Sequence, residues 1–315
     1  MPVDRTEVEV HRDVAQPDLA DVIELLGTVG TVDGFPALSE QKRIELADSS
    51  GGAPAGRSLA RLRRSGRLVG YGHLSRGNDS WGIEIVVHPD HRADGMAEAL
   101  GSALLAPLLD EVGRQGGGQV YFWAPRASAV HDRIAEANGL RPGRELIQMR
   151  VPLPIAAQPG DRADPPPTRA FRPGYDESAW LEVNNRAFAS HPEQGGWTIH
   201  ELLRREQEPW FDPAGFLLHE VGGRLAASCW TKVHREEDPP VGEIYVISVD
   251  PDFQGRGLGR SLTTAGLTWL AAVGITVGML YVDADNVAAV GLYRSMGFTV
   301  DHVDRAYTGK IAAAP

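Results

Sequence analysis

Glu243 is the side chain whose type and setting best fit acid–base chemistry. It stands at the start of the run EIYVISV, whose β-branched residues are typical of a strand. By strand alternation it shares a face with Tyr245, Ile247 and Val249, unless a bulge shifts the parity. A carboxylate among apolar strand residues suits a general base, and the alternative is a solvated glutamate at a strand end. Its role therefore depends on what the neighbouring segments bind.

Three glycines at alternate positions follow this strand. The segment Gln254–Gly259 reads QGRGLG and precedes the helical pattern RSLTTAGLTWLAAVG. Such a turn exposes backbone N–H groups at a helix N-terminus, where a phosphate or pyrophosphate can bind. The alternative is a plain tight turn, in which the glycines only supply unusual backbone angles. The spacing does not match the dinucleotide fingerprint G-x-G-x-x-G, and the G-K-[ST] of a P-loop does not occur in the sequence.

The first half of the chain repeats the second. Arg92–Ala97 matches the pattern [RQ]-x-x-G-x-[GA], as Gln254–Gly259 does. In both halves an amphipathic helix is followed by a strand hairpin, a further strand, this turn, a helix, a strand and a helix. A proline-rich segment lies between the halves and is typical of a semi-stiff linker. The sequence therefore predicts a domain over 1–152, a linker over 153–168 and a second domain over 169–315.

The turn and a second segment resemble the GNAT superfamily of N-acetyltransferases, whose loop of this pattern holds the pyrophosphate of acetyl-CoA. The second segment, DNVAAVGLYRSMGF, is similar to the family's N-x-x-A-x-x-L-Y-x-x-x-G-F. The resemblance implies an α+β fold with two tandem GNAT domains, each a mixed, mostly antiparallel sheet flanked by helices. In each sheet a parallel pair of strands splays to admit pantetheine. Acetyl-CoA is the implied co-substrate, and transfer is direct, without an acyl-enzyme.

The resemblance also implies which residues do the chemistry. Glu243 is the expected base for the acceptor ammonium, and Tyr293 is the expected acid for the CoA thiolate. In the first half, Trp81 stands at the position of Glu243 and Ala135 at that of Tyr293. We therefore expect catalysis in the second domain, and CoA binding at most in the first.

The expected CoA contacts lie in both halves. In the second half they are Ile247, Ser248, Val249, Gln254, Gly255, Arg256, Gly257, Leu258, Gly259, Arg260, Asn286, Val287, Ala288, Ala289, Val290 and Gly291. In the first half they are Ile85, Val86, Val87, Ala93, Asp94, Gly95, Met96, Ala97 and Glu98. Asp94 fits this role poorly, because an acidic side chain repels a pyrophosphate unless it points away.

Several segments resemble one tandem group within this family, among them HPEQGGW, WTKVH and GEIYVISVDP. That resemblance covers essentially the whole chain and implies an acceptor amine on the cysteinyl group of a cysteine–glucosamine–inositol pseudodisaccharide. The alternatives are another primary amine, such as an aminoglycoside or a peptide N-terminus, or a CoA-sensing module without chemistry. The implied acceptor contacts are Glu193, Lys232, Glu243 and Tyr281, with Glu40 reaching the site from the first domain.

Composition limits the partners. The net charge of -11 disfavours nucleic acid and anionic membranes as partners. A single cysteine, Cys229, predicts a reducing compartment and a buried, inert thiol. His88 and His91 have no third ligand at useful spacing, so we expect no metal site. The sequence therefore predicts a cytoplasmic monomer that acts on a small-molecule amine.

Overall fold

The strand and helix patterns of both halves form regular elements. The computed structural model describes residues 6–11, 16–47, 55–63, 65–77, 80–156, 166–189 and 195–314. Up to residue 152 the elements are β1 (Thr6–His11), α1 (Gln16–Asp33), α2 (Glu40–Ala47), β2 (Gly56–Leu62), β3 (Leu68–Arg76), β4 (Ser80–Val87), α3 (Met96–Arg114), β5 (Gly118–Ala124), α4 (Ala129–Ala137) and β6 (Arg141–Pro152). After residue 168 they are β7 (Arg169–Ala170), α5 (Glu177–Ala187), α6 (Ile199–Glu206), β8 (Phe216–Val221), β9 (Arg224–His234), β10 (Val241–Val249), α7 (Leu258–Ala272), β11 (Val277–Asp283), α8 (Val287–Ser295) and β12 (Thr299–Ile311).

The chain forms two compact units whose limits differ from the predicted domain limits. One unit comprises Met1–Glu145 with Asp304–Pro315, and the other comprises Leu146–Val303. The difference arises from two long strands, because the end of β6 pairs with β11 and the end of β12 pairs with β5. Leu153, in the predicted linker, is buried in the core of the second unit, whereas residues 157–165 lie outside the described part of the chain.

In the first unit, β1 to β4 form successive antiparallel pairs. β4 pairs in parallel with β5, and β5 pairs antiparallel with the Arg305–Ile311 part of β12. Helix α3 packs on β2, β3 and β4 through the fully buried Leu104 and Leu108. Tyr307 of the terminal strand lies in the same core and donates a hydrogen bond to Asp132 at 2.6 Å.

The second unit repeats this arrangement. β7 to β10 form successive antiparallel pairs, β10 pairs in parallel with β11, and β11 pairs antiparallel with Leu146–Pro152 of β6. Helix α7 packs on one face of β9 and β10, and helix α5 lies against the same two strands. The buried residues form two separate clusters, one with residues of α7 and α8 and one with Trp180 of α5 and Leu202 of α6. Both units are thus mixed, mostly antiparallel sheets flanked by helices, which confirms the predicted α+β fold class.

The glycines of the β8–β9 hairpin have the backbone angles that a tight turn requires. The hairpin between β8 and β9 turns at Gly222 and Gly223, with φ of 59° and 79°. Only glycine adopts two consecutive left-handed conformations of this kind readily. Within the described part of the chain, none of the helices has both the length and the apolar composition needed to cross a bilayer.

Candidate active site

A bulge in β10 sets the direction of the side chains around Glu243. The pairing of β10 with β9 shifts between Ile244 and Val246, so that Tyr245 is an extra residue in the strand. As a result Tyr245 and Val246 both pack on the aromatic cluster beside α5, while Ile244 and Ile247 both pack on the core beside α7.

This bulge corrects the simple alternation expected from the sequence. Glu243 and Tyr245 share the face that carries α5, two positions apart in the strand. Ile247 and Val249 instead lie on the α7 face, where they pack against the core. The prediction that Glu243 shares a face with Ile247 and Val249 is therefore wrong, and the reason is the extra residue.

The parallel pair of strands separates directly after Glu243. The described pairing of β10 with β11 runs from Val241–Val277 to Glu243–Met279 and ends there, although β10 continues to Val249. The next residues of β10 remain paired with β9 on their other side. Their peptide groups on the β11 side therefore border a gap, where an extended amide chain can add hydrogen bonds.

Glu243 is buried and held by neighbours from β9. Its side chain is 10% exposed, and Oε2 lies 2.7 Å from Nε2 of His234. Lys232 stands directly opposite on β9, and its Nζ lies 4.6 Å from the ring centre of Trp210 and 5.3 Å from that of Tyr245. The site thus combines a buried carboxylate, an imidazole and an ammonium group on one face of the sheet.

His234 was not among the site residues expected from the sequence. A register signal exists, because β9 and β10 form a hairpin in which Val241 pairs with His234. His234 therefore lies diagonal to Glu243 on the same face. Burial lowers the pKa of His234, but its hydrogen bond to Glu243 and the charge of that carboxylate outweigh this, so the pKa is raised overall.

An aromatic wall covers this face of the sheet. Its members are Trp180, Trp197, Trp210, Phe211, Phe216, Trp230 and Tyr245. Arg205 of α6 lies 4.1 Å from the ring centre of Trp197 and donates from Nε to the Tyr245 hydroxyl at 2.9 Å. Trp180, Phe216 and Trp230 are fully buried, so the ligand-facing surface of this wall comes from the half-buried Trp197, Trp210, Phe211 and Tyr245. Exposed aromatic surface of this kind suits the apolar faces of sugar rings, and the neighbouring cations and hydroxyls suit sugar oxygens.

Tyr281 also reaches this face, from β11. Its hydroxyl accepts a hydrogen bond from Nε2 of Gln148 at 2.7 Å, and the residue is 38% exposed. Gln148 in turn accepts from Nε of Arg150 at 2.9 Å, which fixes the orientation of its amide. The phenol oxygen of Tyr281 is thus held in place by the Gln148 amide.

Tyr293 lies on the opposite face of the sheet, in the core formed with α7. It is 7% exposed, and its ring packs against Phe298 with centroids 5.7 Å apart. Burial raises the pKa of Tyr293 to about 12, so the phenol is protonated at neutral pH and able to donate. Among the described residues, the Tyr293 hydroxyl has no hydrogen-bond partner.

The glycine turn forms an open cradle beyond the end of β10. Gly255 and Gly257 have φ of 74° and 77°, and α7 begins immediately after Gly257. A Cβ placed on either glycine would meet no described atom within 4 Å. The first N–H groups of α7 have no intrahelical partner, and at Gly257 the described residues include no side-chain cap. These amides, with the positive end of the helix dipole, suit a diphosphate.

Side chains of the turn leave this cradle open. Gln254 is exposed and its amide lies 3.5 Å from the carbonyl oxygen of Val249. Arg256 is exposed, donates to the carbonyl of Asp252 at 3.2 Å and lies 5.1 Å from the ring centre of Phe253. Its guanidinium is thus available at the rim of the turn.

The predicted CoA contacts at the start of α8 differ in exposure: Asn286, Val287, Ala288 and Gly291 are exposed, Ala289 is half-buried, and Val290 is buried in the core. Asn286 caps α8 by accepting from the N–H of Ala289 at 3.1 Å, and Val287 is 76% exposed. Arg260 of α7 donates to the hydroxyl of Ser295, which ties the two helices together. Leu258 is buried against the core and anchors the start of α7.

The corresponding turn of the first unit also has a left-handed glycine directly before its helix, but its basic side chain is bound to other residues. Asp94 and Gly95 have φ of 53° and 78°, and α3 begins after Gly95. Arg92 binds Asp33 through two hydrogen bonds of 2.6 and 2.9 Å and donates from Nε to the carbonyl of Val87 at 2.9 Å. The basic side chain of this turn is therefore already neutralised.

Trp81 and Ala135 align in sequence with Glu243 and Tyr293. Because β4 lacks the extra residue of β10, Trp81 packs on the core beside α3 and not on the face that corresponds to that of Glu243. Trp81 is 2% exposed and donates from its indole to the carbonyl of Gly117 at 3.0 Å, and Ala135 is buried in the core. The described pairing of β4 with β5 ends at Glu84, so the predicted contacts Ile85, Val86 and Val87 lie beyond it.

The predicted acceptor contacts also include Glu40 and Glu193. Glu40 is the first residue of α2, in the first unit, and is partly exposed. Glu193 lies outside the described residues. Their roles remain predictions.

The remaining predictions concern the thiol and metals. Cys229 is buried, and burial raises its pKa to about 12, so it stays protonated and unsuited to nucleophilic attack. Among the described residues, no group of three or more His, Cys, Asp or Glu side chains is arranged to hold a metal ion.

The fold and the site together define a GNAT-type acetyltransferase. The sheet splays beside a buried carboxylate, a phenol lies on the far face, and a helix N-terminus opens at the end of the gap. In agreement, residues 178–298 match the sequence model of the Acetyltransferase (GNAT) family.

Similar proteins give a narrower assignment. The chain is 43% identical to the mycothiol acetyltransferase of Acidimicrobium ferrooxidans over 94% of this chain and 95% of the relative. It is 45% identical to the mycothiol acetyltransferase of Streptomyces avermitilis over 91% and 90%. A tandem GNAT protein from the clavulanic acid biosynthesis pathway, 15% identical, superposes with a TM-score of 0.68 over 98% of this chain and 100% of that one. The chain belongs to the mycothiol acetyltransferase family and is an N-acetyltransferase.

Proposed function

We propose that this protein transfers the acetyl group of acetyl-CoA to the cysteinyl amine of a cysteine–glucosamine–inositol pseudodisaccharide, giving mycothiol. The observation that carries the proposal is the position of Glu243 and Tyr293 on opposite faces of the sheet, where β10 and β11 separate. A thioester held in that gap has a base on one side and an acid on the other. The names of the relatives support the choice of acceptor.

Acetyl-CoA binds along the second unit. The open turn at Gly255 and Gly257 and the first amides of α7 hold the diphosphate. Arg256 adds positive charge at the rim, and the exposed start of α8 contacts the remainder of the coenzyme. The pantetheine amides pair with the free edge of β10 between Ile247 and Val249, which delivers the thioester to the gap.

The reaction proceeds in one step of acyl transfer. Glu243 takes a proton from the acceptor ammonium, and the free amine attacks the thioester carbonyl. A backbone N–H near Val249 donates to the developing oxyanion. When the carbon–sulfur bond breaks, Tyr293 gives its proton to the CoA thiolate. The high pKa of Tyr293 suits this role, because the phenol is fully protonated before the step.

The acceptor lies against the aromatic wall beside Glu243. Lys232, held over Trp210 and Tyr245, and the phenol of Tyr281 donate to its hydroxyl groups. Glu193 and Glu40 complete the set of acceptor contacts as carboxylates. A polyol with one ammonium group needs this combination of donors, carboxylates and ring-stacking surface.

Catalysis belongs to the second unit alone. At the positions of the first unit that align in sequence with Glu243 and Tyr293, the buried Trp81 and Ala135 offer neither a base nor an acid. Deletion is a poor test of this division, because a fragment without residues 170–315 also loses the Arg305–Ile311 strand that pairs with β5. Substitution of Glu243 in the full chain tests the same point without disrupting the first unit.

An acceptor panel tests the proposed function. The purified protein is mixed with acetyl-CoA and, in separate reactions, the cysteinyl pseudodisaccharide, an aminoglycoside or a peptide with a free N-terminus. Because the first acceptor carries its own thiol, loss of the thioester absorbance and the mass of the product are followed instead of CoA release. We expect turnover with the pseudodisaccharide, with the acetyl group on its nitrogen. The Glu243→Gln variant serves as the control and should lack this turnover. Turnover with another amine only would refute the acceptor, and no turnover with any amine would refute the activity.

A further inference from the structure

His234 and Glu243 form a buried pair on the acceptor face. Nε2 of His234 lies 2.7 Å from Oε2 of Glu243, and the two side chains are 12% and 10% exposed. A carboxylate can only accept a hydrogen bond, so the imidazole nitrogen must carry the proton between them. The contact is short enough for a charge-assisted hydrogen bond.

The other imidazole nitrogen faces the surface. Nδ1 of His234 lies 3.4 Å from Oε1 of Glu236, whose side chain is 59% exposed. Lys232, two residues earlier on β9, is the nearby cation and opposes a positive charge on His234, whereas Glu236 and Glu243 favour it. The two carboxylates thus flank the ring on both nitrogens, which favours the imidazolium.

We propose that His234 is the positioning residue of the acetyl transfer, whose imidazolium donates its Nε2–H to Oε2 of Glu243. This inference rests on the proposed function, because it assigns a partner to the proposed base. The hydrogen bond directs Oε1 toward the acceptor, and the positive charge keeps Glu243 ionised as the neighbouring ammonium arrives. Without that charge, a buried carboxylate takes up a proton at higher pH and is lost as a base.

The charge and the hydrogen bond can be separated by two substitutions. His234→Gln keeps an N–H donor near Oε2 and removes the charge, while His234→Leu removes both. His219→Gln is a matched control, because His219 is a buried histidine on β8 that contacts the carbonyl of Pro167 at 2.8 Å. The measurement is the pH profile of kcat/KM for the pseudodisaccharide at saturating acetyl-CoA, with KM for acetyl-CoA recorded for each variant.

In His234→Gln we expect the acidic limb of the profile to move upward by about one pH unit, with the rate at high pH within about threefold of wild type. In His234→Leu the rate falls roughly tenfold or more at every pH, since Oε1 is no longer directed. KM for acetyl-CoA stays within about twofold in both, and His219→Gln superposes on wild type. An acidic limb that does not move in His234→Gln overturns the inference, because a merely structural histidine lowers the rate equally at all pH values.

A second measurement needs no turnover. The imidazole resonance of His234, identified by its loss in His234→Gln, is titrated in wild type and in Glu243→Gln. We expect it to titrate above the ordinary histidine range in wild type and at least about one pH unit lower in Glu243→Gln. If the His234 imidazole titrates at the same pH in the two proteins, the proposed pairing of His234 with Glu243 is overturned. If wild type does not acetylate the pseudodisaccharide, the proposed function fails while this titration still decides the pairing of His234 with Glu243.

Discussion

Substitution of Gly257 by alanine separates the backbone geometry of the turn from its ligand. Gly257 has φ of 77°, in the left-handed region. An L-residue in that region loses about 1–2 kcal/mol, and because a Cβ there meets no described atom within 4 Å, steric overlap adds nothing. For a cooperative unit of the size of Leu146–Val303, that strain lowers Tm by roughly 2–8 °C.

The effect on acetyl-CoA binding is expected to appear in KM, separately from the effect of this strain on Tm. The space open to the new methyl group is where the diphosphate meets the first amides of α7. A hydrogen bond to a charged group contributes about 1.5–3 kcal/mol, so the loss of one raises KM for acetyl-CoA roughly 10- to 150-fold. The assay is steady-state acetylation at varied acetyl-CoA, with thermal unfolding measured on the same samples.

Gly222→Ala is the control for strain alone. Gly222 has φ of 59° at the hairpin between β8 and β9, and a Cβ there also meets no described atom within 4 Å. We expect a similar fall in Tm and an unchanged KM for acetyl-CoA. If Gly257→Ala and Gly222→Ala give the same KM, the turn does not hold the diphosphate and its glycines serve only the backbone.

Three further substitutions follow from the same structure. Glu243→Gln should lower kcat by roughly 100- to 10,000-fold with KM for acetyl-CoA unchanged, since it removes the base and not the cradle; unchanged kcat in steady-state assays would exclude Glu243 from the mechanism. Tyr293→Phe should lower kcat by roughly 10- to 100-fold and leave Tm nearly constant, because among the described residues its hydroxyl has no partner to lose; wild-type kcat would remove the phenol as the acid. Glu45 is 13% exposed, accepts a hydrogen bond from Ser75 at 2.6 Å and lies 3.1 Å from Nε2 of His73. Burial opposes ionisation of this carboxyl, but its hydrogen bonds outweigh burial and lower its pKa from 4.5 to about 2. Wild type should therefore lose about 3 kcal/mol of unfolding free energy as the pH falls from about 4.5 to about 2, a loss absent from Glu45→Gln; parallel urea-unfolding curves of the two proteins between pH 6 and pH 3 would contradict it.

The turn was predictable because its signals are local. Gly255 and Gly257 stand where the backbone needs positive φ, and the apolar spacing after Leu258 predicts the helix that begins there. Each signal depends on neighbours in sequence and not on the rest of the fold. The same is true of the hairpin at Gly222 and Gly223.

The setting of Glu243 was not predictable from local pattern. Whether Tyr245 is an extra residue depends on which side chains pack better on each face of β10, and this is a property of the helices that cover the sheet. The contact between His234 and Glu243 depends on the register of the β9–β10 hairpin. The charged turn between the two strands gives no sequence signal for that register. Residues Arg305–Ile311 likewise pair with β5 of the first unit, far away in the sequence, and no short sequence signal predicts this pairing.

The two units keep a left-handed glycine at the same point of the turn, among different side chains. Gly95 and Gly257 have nearly the same φ, 78° and 77°, and each stands directly before a helix that packs on the sheet of its own unit. Binding at a helix N-terminus needs only backbone amides, so divergence of side chains can leave this geometry unchanged. The face on which Glu243 lies depends instead on the extra residue Tyr245 in β10, and the described pairing of β3 with β4 includes no such shift. The turn and the proposed base therefore depend on different features of the sequence, the turn on local glycines and the base on the register of a strand.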